Sequence, residues 1–121
     1  MGKTPHPKAY VMIAHGSREA ESNRAFLSVA SRLAASTKKP VIGAFLELAA
    51  PSIPEALGTA VRKGAREIVV IPLMLFPGRH AVLDIPTLVR ETARRHPKVR
   101  FHLKKALAFH PRFLSFLKEL L

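Results

Sequence analysis

The sequence lacks cysteine and tryptophan altogether, has one tyrosine, and carries only 8 acidic residues against 20 lysines and arginines. Without cysteine there is no disulfide, no thiolate metal ligand and no cysteine nucleophile, so any metal ion must be held by His, Asp or Glu. No apolar run reaches the ~20 residues that a membrane-spanning helix needs. Residues 1–8 have no apolar stretch behind their charges, and we interpret them as a flexible leader and not as a secretory signal. These absences predict a cytoplasmic protein without a membrane anchor.

The length and composition of the chain indicate one domain with a strong positive charge. A chain of 121 residues with 48% hydrophobic content suffices for a single core, which we place in residues 9–121. The net charge of +12 attracts polyanions, whether nucleic acid, an acidic membrane surface or a small substrate with several carboxylates. The basic residues are spread along the chain with few aromatic neighbours, which favours a small polyanion over nucleic acid. A role in solubility alone is the alternative.

Short apolar runs alternate with helical patterns along the whole domain. The β-branched run from Ile68 to Ile71 is typical of a strand buried in a parallel sheet. The segment Ser52-Ile53-Pro54-Glu55 has the spacing of a helix capping box. We predict strands at residues 10–14, 41–48, 68–75 and about 99–103, and helices beginning near Ser17, Ser52, Asp84 and Pro111. This order predicts an α/β fold in three layers, a four-stranded parallel sheet with helices on both faces.

Three polar side chains stand at or near the carboxyl ends of three successive predicted strands: His15, Glu47 and His80. Because the carboxyl ends of parallel strands share one edge of the sheet, where ligands bind in open α/β folds, these three side chains can converge. Two imidazoles and a carboxylate suit a divalent ion such as Co²⁺, Fe²⁺, Ni²⁺ or Zn²⁺, and three ligands leave coordination positions open. The alternative is that the histidines bond to backbone and Glu47 pairs with an arginine.

The residues around these three could bind a carboxylate or phosphate group and an apolar surface. The Gly16-Ser17 turn offers backbone N–H groups and a hydroxyl, although an ordinary helix cap would look the same. Arg18 and Arg79 can pair with substrate anions, with solvated surface arginines as the alternative. Leu75, Phe76 and Pro77 form an apolar segment suited to a flat ring or to core filling. The other histidines, which we expect to be structural or solvent-facing, are His6, His96, His102 and His110.

These motifs together resemble the sirohydrochlorin chelatases, the small class II cobaltochelatases and ferrochelatases of the CbiX type. The resemblance rests on Ala-His-Gly-Ser-Arg after the first strand, on Phe45 to Leu48 with Pro51 to Ile53, and on Pro72 to His80 with Asp84 to Pro86. It extends over nearly all of residues 9–121, to Ala-Phe-His-Pro near the end. Each motif alone is weak, but the three occur in order at the expected strand ends.

The resemblance implies a chelatase-like fold and ATP-independent insertion of a divalent metal into sirohydrochlorin, on the route to cobalamin or sirohaem. Co²⁺ is the first expectation and Fe²⁺ or Ni²⁺ the alternatives, with no cofactor beyond the substrate metal. By similarity His15 is a metal ligand and proton acceptor, His80 is the second ligand, and Glu47 lies at the same site. The expected substrate-binding residues are Gly16, Ser17, Arg18, Glu47, Leu75, Phe76, Pro77, Gly78 and Arg79. A homodimer is also implied, with the apolar last helix as a candidate contact if it is not packed within the chain.

The bulk chemistry agrees with this expectation. A basic protein attracts the polycarboxylate sirohydrochlorin, and a neutral imidazole can accept the pyrrole protons that metal insertion releases. Two other classes remain as alternatives. A histidine phosphatase also places its nucleophilic histidine beside a glycine, but its pattern has an arginine where this chain has Ala14. A basic nucleic-acid-binding or metal-carrier module would need no catalysis, and would show steeply salt-dependent DNA binding in the first case.

Overall fold

The computed structural model describes residues 7–121, and within this range four strands form one parallel sheet with the order β2-β1-β3-β4. The strands are β1 (Lys8–Ala14), β2 (Val41–Phe45), β3 (Glu67–Pro72) and β4 (Arg100–Leu103). All neighbouring strands are parallel, with Ala14 opposite Phe45 and Ile13 opposite Pro72. The carboxyl ends of β1, β2 and β3 therefore lie side by side, as predicted from the alternating sequence pattern. Residues 1–6 of the predicted leader lie outside the described range.

Helices cover both faces of this sheet. They are α1 (Ala20–Thr37), α2 (Ile53–Arg62), α3 (Arg79–Arg95) and α4 (Phe113–Lys118), with a 3₁₀ turn at Leu107–Phe109. Successive residues of a strand point to opposite faces, so β1 contributes Val11 and Ile13 to the core under α2 and α3 and Met12 to the core under α1. The predicted three-layer α/β/α architecture is confirmed.

Two apolar clusters stabilise these layers. The larger one packs Leu57 of α2 and Ile85 of α3 against Ile68 and Val70 of β3. In the smaller one, Phe26 of α1 meets Phe45 of β2 edge-on, with ring centroids 5.2 Å apart. An edge-to-face aromatic pair adds about 1 kcal/mol to the gain from burial alone. The strand ends that carry the predicted site are thus held by a close-packed core.

The start of α2 follows the sequence prediction in detail. The Ser52 hydroxyl accepts the backbone N–H of Glu55 at 3.2 Å, and the Glu55 carboxylate accepts the backbone N–H of Ser52 at 2.9 Å. This reciprocal capping box supplies partners for two backbone donors that a helix N-terminus would otherwise leave to water. The backbone hydrogen bond from Ser52, with the side-chain bond second, lowers the pKa of Glu55 below its usual 4.5.

Replacing Ser52 by alanine is expected to lower the free energy of unfolding by about 1 kcal/mol, since Glu55 loses its N-cap acceptor. Chemical denaturation measures this loss, and Ser28→Ala, at an exposed position within α1, is the matched control.

The charge of Glu55 stabilises the fold above its lowered pKa, and that contribution disappears as the pH falls through it. The stability difference between the wild type and Glu55→Gln should therefore close on acidification. A difference independent of pH would contradict the assignment.

Several predicted boundaries are wrong by a few residues. The strand predicted at residues 41–48 ends at Phe45, and that predicted at 68–75 ends at Pro72, because the chain leaves the sheet at the bends that follow. The N-cap residue of the first helix is Glu19 and not Ser17. The Ser17 hydroxyl instead accepts the N–H of Glu19 at 3.0 Å. Asp84 is not an N-cap, since α3 already begins at Arg79.

The last helix is also shorter than predicted. It covers only Phe113–Lys118, and all its side chains except that of Phe113 are exposed. Leu114, Phe116 and Leu120 are 63%, 56% and 68% exposed. The alternative in which this segment packs deeply within its own chain is therefore not realised. Among the described helices, none is long and apolar enough to cross a lipid bilayer.

Candidate active site

His15 and Glu47 meet at the carboxyl edge of the sheet. His15 directly follows β1, and its Nε2 lies 3.1 Å from Oε1 of Glu47. The strand register causes this contact, because backbone hydrogen bonds continue past the ends of β1 and β2. The N–H of Leu46 donates to the carbonyl of Ala14 at 2.9 Å, and that of Glu47 to the carbonyl of His15 at 3.0 Å. Both side chains are about half exposed, 53% and 48%, so the pair faces solvent and is open to a ligand.

Gly16 allows this close approach. Its φ of +100° lies in a region that side-chain-bearing residues rarely adopt, and a Cβ there would stand 1.8 Å from the carbonyl oxygen of Glu47. The backbone of Glu47 thus lies against the turn that follows β1. A glycine is required at this position both by its own conformation and by its neighbour.

The residues after Gly16 are held by a hydrogen-bonded turn. Asn23 of α1 accepts the N–H of Ser17 at 3.0 Å and donates its own Nδ2 to the Ser17 carbonyl at 2.7 Å. The backbone N–H groups of Ser17 and Glu19 therefore already have partners within the chain and are not available to an anion at the expected binding turn. Arg18 is exposed beside it.

His80 lies in the first turn of α3 and pairs with a different carboxylate. Its Nε2 is 2.8 Å from Oδ2 of Asp84, one helical turn later, and the His80 side chain is 75% exposed. Gly78 is the N-cap residue, and Arg79 and His80 are the first residues of the helix. The helix start thus determines the partner of His80, because positions i and i+4 share one helical face.

Two histidine–carboxylate pairs therefore stand at this edge of the sheet, and their carboxylates border one cleft. Glu47 and Asp84 line a cavity of about 160 Å³ together with Leu46, Thr87 and Leu88. Within residues 7–121, no three of the His, Asp and Glu side chains are close enough to hold one metal ion together. The structure thus brings His15 to Glu47 and keeps His80 with Asp84.

An apolar segment connects β3 to α3. Leu75 is 47% and Phe76 is 79% exposed, which excludes core filling by these two side chains within the chain. Pro77 is partly buried, and it lines a larger cavity of about 360 Å³ on another side of α3, bordered by apolar residues and by Lys104 and Lys105. Neither His15 nor His80 lines that cavity, so the candidate site is identified by its side-chain chemistry and not by cavity size.

The remaining described histidines lie outside this cleft. His96 is the C-cap residue of α3, His102 pairs with Glu67 at 2.8 Å, and Nδ1 of His110 accepts the N–H of Arg112 at 3.0 Å. His6 lies outside the described residues. Asp84 is the charged residue of the cleft that was not predicted as part of the site, because the sequence pattern places a helix start there. The spacing of four residues between His80 and Asp84 could have indicated their contact, provided that the helix was predicted to begin before His80.

The sequence matches the CbiX family model over residues 9–121. The chain belongs to the CbiX family. A sirohydrochlorin cobaltochelatase of Priestia megaterium is 35% identical over 118 residues, covering 92% of this chain and 36% of the relative. A chloroplastic sirohydrochlorin ferrochelatase of Arabidopsis thaliana is 34% identical, covering 90% of this chain and 49% of the relative. The chain thus spans about a third to a half of the length of these CbiX relatives.

A solved structure shares the fold over a chain of similar size. The CbiX protein of Marinobacter aquaeolei VT8 superposes with a TM-score of 0.80 at 27% identity, covering 94% of this chain and 93% of that one. The chelatase-like fold expected from the motifs is therefore confirmed. These CbiX relatives give no support to a histidine phosphatase or to a nucleic-acid-binding module.

Proposed function

We propose that this CbiX-family chain inserts a divalent metal ion into sirohydrochlorin without ATP, in tetrapyrrole biosynthesis in the cytoplasm. Co²⁺ is the first expected metal, with Fe²⁺ and Ni²⁺ as alternatives. The observation that carries the proposal is the contact of His15 with Glu47, 3.1 Å apart at the carboxyl edge of the sheet. The names of the two curated relatives, a cobaltochelatase and a ferrochelatase, support the substrate and the choice of metals.

The two histidine–carboxylate contacts leave one ring nitrogen free on each histidine. When Glu47 accepts the Nε2–H of His15, the imidazole keeps its lone pair on Nδ1, and Asp84 has the same effect on His80. A carboxylate behind a histidine orients the ring and makes its free nitrogen a better metal ligand. We therefore assign His15 and His80 as ligands of the incoming ion, and Glu47 and Asp84 as the groups that hold them.

Metal insertion also needs a proton acceptor. The ring gives up its pyrrole N–H protons as the ion enters, and a neutral imidazole takes up a proton near neutral pH. Once the ion has passed from His15 to the ring, the lone pair on Nδ1 can accept one such proton, and the resulting imidazolium keeps its Nε2–H directed at the Glu47 carboxylate, which stabilises the new positive charge. Glu47 thus assists both ligation and proton removal.

The surroundings of the cleft suit a large, flat polyanion. The exposed Leu75 and Phe76 offer apolar surface to the face of the ring. Arg18 and Arg79 stand close to His15 and His80 in the sequence, and both are exposed, so we assign them to the substrate carboxylates. Gly16, Ser17, Pro77 and Gly78 belong to the segments after β1 and β3 that we propose to contact the ring.

A homodimer is part of the same proposal. The chain matches 36% of the length of its Priestia megaterium relative, and a second copy would supply a second unit of this kind. The exposed apolar side chains of α4, with Phe109 at 69% exposure, support this segment as the contact. A second copy placed there would exclude this surface from water.

The test is to mix the purified protein with sirohydrochlorin and with Co²⁺, Fe²⁺ or Ni²⁺ in turn, following the visible spectrum of the ring. We expect each reaction to run faster than the same metal and substrate without protein, with Co²⁺ fastest. Repeating the assay over a range of protein concentrations tests the dimer, because the rate per chain should fall on dilution. If the folded protein accelerates none of the three reactions, the proposed function is wrong.

A further inference from the structure

The edge of the sheet opposite to the candidate site carries a compact group of positive charges. Arg66 directly precedes β3, Lys98 lies just before β4, and Arg100 is the first residue of β4. With Glu67 these three cations line a cavity of about 110 Å³. Backbone hydrogen bonds fix the main chain of two of them, since the N–H of Arg100 donates to the carbonyl of Arg66 at 2.9 Å and that of Arg66 to the carbonyl of Pro7 at 2.8 Å.

Within residues 7–121, Arg66, Lys98 and Arg100 form no ion pair with an acidic side chain. Every ion pair formed within residues 7–121 uses a histidine, and no lysine or arginine in that range lies within ion-pair distance of an acidic side chain. The one carboxylate at the cavity, that of Glu67, is directed to Nε2 of His102 at 2.8 Å. Three cations and one carboxylate give the cavity a net charge of +2.

We propose that this cavity binds the phosphate group of a small molecule, either inorganic phosphate or a phosphate monoester. A doubly charged phosphate balances the net charge of the cavity, and its oxygens match the planar donor forks of Arg66 and Arg100. The volume of about 110 Å³ admits an oxyanion but not a tetrapyrrole. The site lies at the amino edge of the sheet, whereas His15 and Glu47 lie at the carboxyl edge, so the inference does not depend on the proposed function.

Calorimetric titration of the whole chain at low ionic strength, with inorganic phosphate and separately with glycerol phosphate, tests the proposal. Arg66→Ala should weaken binding about tenfold, because one of the charge-assisted donors is lost. Glu67→Gln should strengthen it about threefold, since the only negative charge at the cavity is removed. Arg32→Ala, on the exposed side of α1, is the matched control for the loss of one positive charge and should leave binding unchanged.

The two ligands separate the sources of the phosphate group. Equal affinities indicate that the phosphate group alone is recognised, and tighter binding of the ester indicates a phosphorylated metabolite. The proposal is overturned if neither ligand binds, if Arg32→Ala weakens binding as much as Arg66→Ala, or if Glu67→Gln leaves the affinity unchanged. All three substitutions are at side chains that are exposed or partly exposed, and metal insertion by these variants should equal that of the wild type.

Discussion

Replacing His15 by alanine is expected to slow metal insertion into sirohydrochlorin at least about a hundredfold, the usual scale for losing a general base, with a further loss from metal ligation. His15 is half exposed, and its backbone carbonyl, which accepts the N–H of Glu47, is retained in the variant, so the substitution should leave the fold intact. The measurement is the initial rate of the spectral change at saturating metal, with the unfolding midpoint determined in parallel.

Two further variants make this result specific. His96→Gln, at the C-cap of α3 and outside the cleft, should retain the wild-type rate. Glu47→Gln can still accept the N–H of His15 but does not stabilise the imidazolium, so we expect a smaller loss, about tenfold. A His15→Ala protein that is folded and inserts Co²⁺ as fast as the wild type would refute the role assigned to this histidine.

Local chemistry made much of the fold predictable. The capping box of Ser52 and Glu55 forms with both hydrogen bonds, because the residues that satisfy the helix start are those of the helix itself. The parallel sheet followed from β-branched runs separated by helical stripes. The meeting of His15 with Glu47 followed from the same pattern, since adjacent parallel strands end at one edge and their register is continued by backbone bonds.

The start of α3 could not be predicted in this way, and as a result the contact of His80 with Asp84 was not predicted either. The sequence predicts a helix that begins near Asp84, but the helix already begins at Arg79 and contains Pro86 in its interior. A proline inside a helix removes one backbone hydrogen bond, at a cost of about 3 kcal/mol. Burial of Ala81 and Ile85, which are 2% and 3% exposed, offsets this cost. Tertiary packing therefore decided the boundary, and with it the pairing of His80 with Asp84.

Replacing Gly16 by alanine is expected to have the largest effect on stability, because two penalties act at one position. The φ of +100° disfavours any side chain by about 1 kcal/mol. In addition, the new Cβ would lie 1.8 Å from the Glu47 carbonyl oxygen, a backbone atom that can move only if the chain after β2 shifts. We expect the free energy of unfolding to fall by about 3 kcal/mol or more, the scale of severe single substitutions.

Gly64→Ala separates the two penalties. Gly64 has nearly the same φ, +97°, but a Cβ there meets nothing within 4 Å, so this variant loses only the cost of the backbone conformation. Chemical denaturation of both variants gives the cost of the clash by difference. The shift of Glu47 should also separate it from His15, so Gly16→Ala should lose metal insertion where Gly64→Ala keeps it. Equal stability and equal rates in the two variants would mean that the turn after β1 and the Glu47 backbone are not in contact, and the candidate site would lose its structural basis.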